Sequence, residues 1–290
     1  MRRTYKYVAV TRLERNAADG LFAKPSYLDM CLILLANDAH PIYRLILAAN
    51  RDEFYERPTA SAGYWEDAPQ ILAGRDLKDG GTWLGITRSG EIAALTNFRD
   101  PGSERRDAPS RGRLVSGFLN GSRSMEEYLE TLRYEGRSYN GFNLIFGDPA
   151  RLCWYCNRHK RERFLAAGIH GLSNSLLDSP WPKVSRGKEA LARIIEEGSE
   201  IGEEQLLSLL SDRTLPPDGE LPDTGVGIEL ERLLSPIFIS SPTYGTRSST
   251  VILVDRKNYV TFVERSFNGH RENPTEKRWC FTIDRETRPA

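Results

Sequence analysis

The strongest constraint on this chain is its punctuation: from residue 30 onwards, short apolar runs alternate with turn signals at hairpin spacing. Leu32–Leu35 and Tyr43–Ala49 flank Asn37-Asp38-Ala39-His40-Pro41 and read as the two strands of a hairpin. Ile71–Gly74 and Trp83–Thr87 are separated by Asp79-Gly80-Gly81, and Glu91–Asn97 follows the Ser89-Gly90 turn. Phe142–Phe146 and Leu152–Tyr155 face each other across Gly147-Asp148-Pro149. Gly168–Ser173, Ile237–Ile239, Ser249–Asp255 and Tyr259–Phe267 read as further strands, the last two joined at Arg256-Lys257-Asn258. Helical spacing occurs in separate blocks at Leu114–Leu119, Met125–Arg133, Pro182–Glu197 and Glu203–Leu210. The stretch 216–225, rich in Pro, Asp and Gly, reads as a surface loop. Strand sets joined by tight turns, with helices segregated between them, predict an α+β fold on antiparallel sheets. A doubly wound parallel sheet is disfavoured.

Composition narrows the function classes. The 290 residues carry 40 Lys plus Arg against 40 Asp plus Glu, so no basic excess points to nucleic acid or to a membrane surface. No apolar run is long enough for a membrane-spanning helix. Four cysteines are too few for a disulfide scaffold, which makes a reducing, cytoplasmic setting the expectation. Residues 1–29 show no sustained period and are expected to be a poorly structured extension, either an upstream start or a removed leader. A single domain is expected over 30–270, with 271–290 as a tail.

Met30-Cys31 heads the first strand, and the second ends in Asn50-Arg51-Asp52-Glu53. A cysteine thiol is a weak nucleophile at its ordinary pKa of about 8.5 and needs a base or a cation beside it. If Met30 is removed, Cys31 carries its own base, an α-amine that titrates at about 7.7–8.0. Arg51 supplies a cation to favour the thiolate, and Asp52 a carboxylate to orient the amine. Asn97 and Asn174, each at a strand end, are candidate amide donors for a tetrahedral oxyanion.

The phrase Ala48-Ala49-Asn50-Arg51-Asp52-Glu53 resembles the signature of the NRDE family, also known as the transport-and-Golgi-organisation-2 family. Further segments resemble that family in the same order. They are Gly80-Gly81-Thr82-Trp83-Leu84-Gly85, Thr96-Asn97-Phe98-Arg99, Ser110-Arg111-Gly112, Tyr139-Asn140-Gly141-Phe142-Asn143-Leu144, Gly171-Leu172-Ser173-Asn174, Pro180-Trp181-Pro182-Lys183 and Tyr244-Gly245-Thr246-Arg247-Ser248-Ser249-Thr250. Together they span roughly residues 30 to 267. The resemblance implies a four-layer αββα sandwich of the N-terminal-nucleophile (Ntn) hydrolase kind. It also implies kinship with cysteine enzymes that cleave linear amides, with Cys31 as nucleophile and Arg51, Asp52, Asn97 and Asn174 around it. Asn50, Trp83, Trp181 and Arg247 are its expected ligand-binding residues. The implied partner is a small-molecule amide. The alternative is a non-catalytic pocket for a hydrophobic ligand such as haem or a lipid. The motifs call for no cofactor and complete no metal-ligand set, and the sequence sets no oligomeric state.

Two other motifs carry less. Cys153-Trp154-Tyr155-Cys156 has redox spacing but lies inside an apolar strand-like run, not at a helix start. Arg158-His159-Lys160-Arg161 reads as a solvated hairpin loop. The four histidines, at 40, 159, 170 and 270, are scattered and name no haem ligand.

Overall fold

Two antiparallel sheets account for the strand signals. The computed structural model describes residues 30–121, 123–198, 200–267 and 274–284. The expected extension 1–29 and His270 lie outside the described residues. The first sheet contains β1 (Met30–Asn37), β2 (Tyr43–Phe54), β10 (Gly168–Leu172), β11 (Tyr244–Asp255), β12 (Tyr259–Ser266) and β13 (Thr275–Thr282), in spatial order β10-β1-β2-β11-β12-β13. The second contains β3 (Thr59–Tyr64), β4 (Ile71–Asp76), β5 (Leu84–Thr87), β6 (Ile92–Asn97), β7 (Phe142–Asp148), β8 (Arg151–Cys156) and β9 (Arg161–Phe164), in chain order.

Strand alternation sorts the side chains into layers. In β1 and β2 the odd positions Ile33, Leu35, Leu45, Leu47 and Ala49 enter a core shared with Leu72, Ile86, Ala94 and Ile145 of the second sheet. The even positions Leu32, Leu34, Ile46 and Ala48 pack against Val184 and Leu191 of α3 (Pro182–Glu197) and Leu206 and Leu210 of α4 (Glu203–Leu210). On the far side, Ala93, Leu144 and Phe146 meet Val115 and Phe118 of α1 (Gly112–Leu119) and Tyr128 and Leu132 of α2 (Met125–Glu135). The result is a four-layer αββα sandwich, as the resemblance implied. A fifth helix, α5 (Ile228–Leu234), closes one end of the first sheet through Leu230 and Leu234, beside Met30, Phe54 and Tyr244.

Several elements depart from the sequence expectation. Thr275–Thr282, assigned to a tail, is the edge strand β13, whose Trp279 and Phe281 pack against the inter-sheet core while the charged run Glu276-Lys277-Arg278 precedes them. Arg161, expected in a loop, begins the exposed edge strand β9, where charge guards an open edge. Ile237–Ile239 is buried but forms no strand: Thr246 of β11 donates its N–H to the Ile239 carbonyl at 2.9 Å and accepts from Ile239 N at its Oγ1 at 2.9 Å, and the bridge Ser240–Gly245 follows. Helix α2 starts at a capping box: Ser124 Oγ accepts from Glu127 N at 3.2 Å, and Glu127 Oε2 accepts from Ser124 N at 2.8 Å. Ser124→Ala is expected to cost about 1 kcal/mol, read as a lower urea midpoint at unchanged slope; an unchanged midpoint would show that this cap contributes nothing.

Candidate active site

Register decides what can meet at the end of β1. Cys31 pairs with Arg51, and Arg51 pairs with Ser248 on its other side, so the three form one row across β1, β2 and β11. Parity puts this row on the face between the sheets, one step beyond Ile33, Ala49 and Thr250. Met30 pairs with Asp52, and Asp52 with Thr246, on the opposite, helix-side face. Arg51 and Asp52 are adjacent in sequence but flank Cys31 from the two sides of the sheet. The arginine therefore shares the thiol's face, and the carboxylate lies on the side that Met30 occupies.

On the thiol face, Cys31 is half-buried. The Arg51 guanidinium lies 4.3 Å from the centre of the Trp83 ring, donates to Thr59 Oγ1 at 3.2 Å and pairs with Glu53 at 3.5 Å. Gly81 explains the glycines before that tryptophan: a Cβ there would stand 2.5 Å from the Gly112 carbonyl carbon, so two of the motif blocks touch backbone to backbone. Ser248 is buried, and its Oγ has no hydrogen-bond partner among the described residues. Arg247 donates to the carbonyls of Phe54 at 2.8 Å and Arg57 at 3.1 Å, holding the chain that leaves β2.

Asn174 ties β1 to the second sheet. Its Oδ1 accepts from Cys31 N at 3.4 Å and from Ser173 Oγ at 3.0 Å, while its Nδ2 donates to the Asn97 carbonyl at 2.9 Å. Ser173 Oγ also lies 3.0 Å from the Cys31 carbonyl. Thr96 donates to the Ser173 carbonyl at 2.6 Å, and Asn143 donates both to Thr96 Oγ1 at 3.2 Å and to the Ser175 carbonyl at 2.9 Å. These bonds fix the loop after β10 against the ends of β6 and β7. Through Asn174 they link the Cys31 N–H to the main-chain carbonyl of Asn97.

The helix-side face holds what the sequence reading missed. Met30 is fully buried; its N–H donates to Tyr244 Oη at 3.0 Å, and its sulfur accepts from Arg99 Nη2 at 2.9 Å. Arg99 also pairs with Glu231 of α5 at 2.6 Å, both side chains almost wholly buried, and lies 4.9 Å from the Trp181 ring centre. Asp52 accepts from Thr246 Oγ1 at 2.7 Å, but its second oxygen is buried without a partner among the described residues. Burial pushes its carboxyl up to about 6, against the pull of Lys183, Thr246 and Arg51. Lys183 is 3% exposed and donates to the Leu234 carbonyl at 3.2 Å. Burial pushes it down to about 8, with Asp52, Cys31 and Glu231 acting in the other direction and Arg99 adding to the fall. Its signal in the sequence was a lysine in the first turn of a helix, where the helix dipole disfavours a cation.

The remaining candidates fall elsewhere. Asn50 faces the helices and not the thiol, because it alternates with Arg51. Its carboxamide is used within the fold, donating to the carbonyls of Leu210 and Ile237 at 2.8 Å each and accepting from Ser249 at 2.6 Å. Cys153 belongs to the core under α1 and α2 and Cys156 to the core between the sheets, so strand alternation points the pair apart. Burial raises the Cys153 thiol to about 11 and that of Cys156 as well. His40 accepts from Ile42 N at 3.1 Å, and His170 lies 3.0 Å from Asp178, so both are engaged within the fold. His159 packs edge-on to Phe98. No helix among the described residues is long and apolar enough to cross a membrane.

The chain is similar to known proteins over most of its length. Residues 30–269 match the family model described as Transport and Golgi organisation 2. The chain is 42% identical over 270 residues to a Transport and Golgi organization protein 2 homolog of Bos taurus, covering 86% of this chain and 96% of the relative. It is 33% identical over 268 residues to Transport and Golgi organization protein 2 of Drosophila melanogaster, covering 83% and 93%. Among solved structures it is similar to a mutant conjugated bile acid hydrolase from Clostridium perfringens, at 8% identity and a TM-score of 0.47, over 88% of this chain and 97% of that one.

Proposed function

This chain belongs to the Transport and Golgi organisation 2 family, and on that premise we propose that it is an N-terminal-nucleophile amidohydrolase, with Cys31, freed by removal of Met30, attacking a linear, non-peptide C–N amide. The observation that carries the proposal is the bare Asp52 oxygen on the Met30 side of the Cys31 nitrogen. A buried carboxylate left half-satisfied is costly. An α-ammonium or amine at Cys31, with the Met30 side chain gone, is the partner that would complete it.

The reaction follows from the two faces. The α-amine takes the thiol proton as sulfur bonds to the carbonyl carbon, with Arg51 favouring negative charge on the sulfur. Amides of Asn97 and Asn174 stabilise the tetrahedral oxyanion. The amine then passes its proton to the departing nitrogen, and the C–N bond breaks to leave a thioester and a free amine. Water attacks the thioester, giving one proton to the α-amine. The acid leaves, and the thiol regains its proton. Trp83, under Arg51, and Arg247 flank the substrate on the thiol side, while Trp181, under Arg99, lies on the side that Met30 vacates. Four free cysteines suit a reducing, cytoplasmic compartment.

The test is the N-terminal mass of the protein from cells, followed by alkylation. Cys280 is exposed and is first replaced by serine to remove its background. A mass beginning at Cys31, with stoichiometric iodoacetamide labelling of Cys31 at least about tenfold faster than when residues precede it, is the expected result. Equal rates, or amide turnover unchanged in Cys31→Ala, would overturn the proposal.

A further inference from the structure

Around Met30 the fold gathers more charge than an N-terminal nucleophile needs for orientation alone. Asp52 comes from β2, Arg99 from the loop after β6, Lys183 from the first turn of α3 and Glu231 from α5, with the Tyr244 hydroxyl from β11. Arg51 lies across the register on the other face. Arg99 and Glu231 neutralise each other through a direct buried pair. That leaves Asp52 and Lys183 as the unmatched anion and cation, and neither bonds the other: Asp52 is held by Thr246 and Lys183 by the Leu234 carbonyl. Leu234 belongs to the cluster that encloses Met30, and Lys183 lies within electrostatic reach of both Asp52 and Cys31. A buried lysine with a backbone carbonyl as its acceptor, at the helix end that repels it, is expensive.

We propose that Lys183 is a positioning residue for the nucleophile: its buried ammonium offsets Asp52 and keeps the freed Cys31 α-amine in its neutral, proton-accepting form. This rests on the reading of Cys31 as the N-terminal nucleophile. Asp52 alone would stabilise the ammonium and leave the amine unable to accept the thiol proton near neutral pH. A second cation on the same side reverses that bias, and burial of the amine adds to it. The reactive form holds one proton shared between amine and thiol, so the pH at which reactivity rises reports the loss of the proton that Lys183 disfavours.

The experiment uses protein produced from a chain that starts at Met30 and is processed to Cys31. In wild type, iodoacetamide alkylation of Cys31 is expected to rise with pH below the ordinary α-amino range of about 7.7–8.0. Lys183→Met is expected to move that rise upward by about one pH unit, cutting the rate on the rising limb about tenfold, and Lys183→Arg to restore it. A lysine that only braces α3 would leave the profile in place and lower the melting temperature. An unshifted profile in folded Lys183→Met therefore overturns the inference. A second measurement needs no variant: the amine of ¹⁵N-cysteine-labelled wild type, followed by NMR, should titrate below about 7.7. A value at or above the ordinary range overturns the inference whether or not the variants fold. Wild-type Cys31 that alkylates no faster than an ordinary thiol counts instead against the nucleophile reading, and the amine titration still decides the role of Lys183.

Discussion

Asn174→Ala is expected to slow acylation of Cys31 by about a hundred- to a thousandfold, read as the initial burst from an activated ester or anilide. The magnitude follows from the position of this side chain. Its carboxamide oxygen accepts from Cys31 N, and its nitrogen donates to the Asn97 carbonyl, so one residue spans β1 and the second sheet. Truncation removes the donor assigned to the proposed oxyanion and frees the loop whose Ser173 hydroxyl lies 3.0 Å from the Cys31 carbonyl. It also leaves the buried Asn97 carbonyl without that donor, so some stability is lost as well. Circular dichroism and a melting curve separate the two effects, and the burst is compared at a temperature where both proteins are folded. A change of less than about threefold in the folded variant would remove Asn174 from the reaction.

The second large effect lies in the pH dependence of stability before Met30 is removed. Burial raises Asp52 to about 6, against about 3.9 for a free aspartate. The native state therefore holds this proton more tightly than the unfolded chain does. Its contribution is fully present below about pH 4 and is lost as pH rises through 6, the reverse of a salt-bridged carboxylate. About two units correspond to about 3 kcal/mol. In protein that retains Met30, unfolding free energy should fall by that order between pH 4 and 6, and Asp52→Asn should flatten this segment. Lys183, depressed to about 8, acts in a separate window: its contribution grows only as pH rises from about 8 towards 10.4. Urea titrations at pH 4, 5, 6 and 7 check the first window. Parallel curves for wild type and Asp52→Asn would mean that the carboxyl is not perturbed.

The antiparallel α+β class and the pairing of β1 with β2 were legible because both rest on local signals, whereas the four-layer order came with the family resemblance. Turn residues at hairpin spacing fix which runs pair, and alternation fixes which side chains share a face. What the sequence reading lacked was a consequence of that same alternation: neighbours such as Arg51 and Asp52 cannot both stand beside one thiol's side chain. Lys183, Arg99 and Glu231 were missed as a group because they come from three elements far apart in the chain, and no local period links them. Strand β13 was missed because its outward positions carry Glu276 and Arg278, which mask the inward Trp279 and Phe281. Asn50, read as a ligand contact from its place in the signature, anchors α4 and the segment after α5 to the sheet.

The register shift at Arg247 has a consequence for which changes the gene can tolerate. Thr246 pairs with Asp52 and Ser248 with Arg51, so one extra residue turns two positions of equal parity towards opposite layers. β11 can thereby offer a hydroxyl to the carboxylate on one side and another to the arginine row on the other. Loss of Arg247 alone would keep both pairings and remove only the bulge and its bonds to the Phe54 and Arg57 carbonyls, whereas a further inserted residue that slid the ladder by one would reverse the inside and outside of Tyr244–Thr246, taking the threonine from Asp52 and the tyrosine from the Met30 backbone in one step. Insertions should therefore accumulate in the surface loop 216–225 and be purged beside Arg247, where the ladder already absorbs one extra residue.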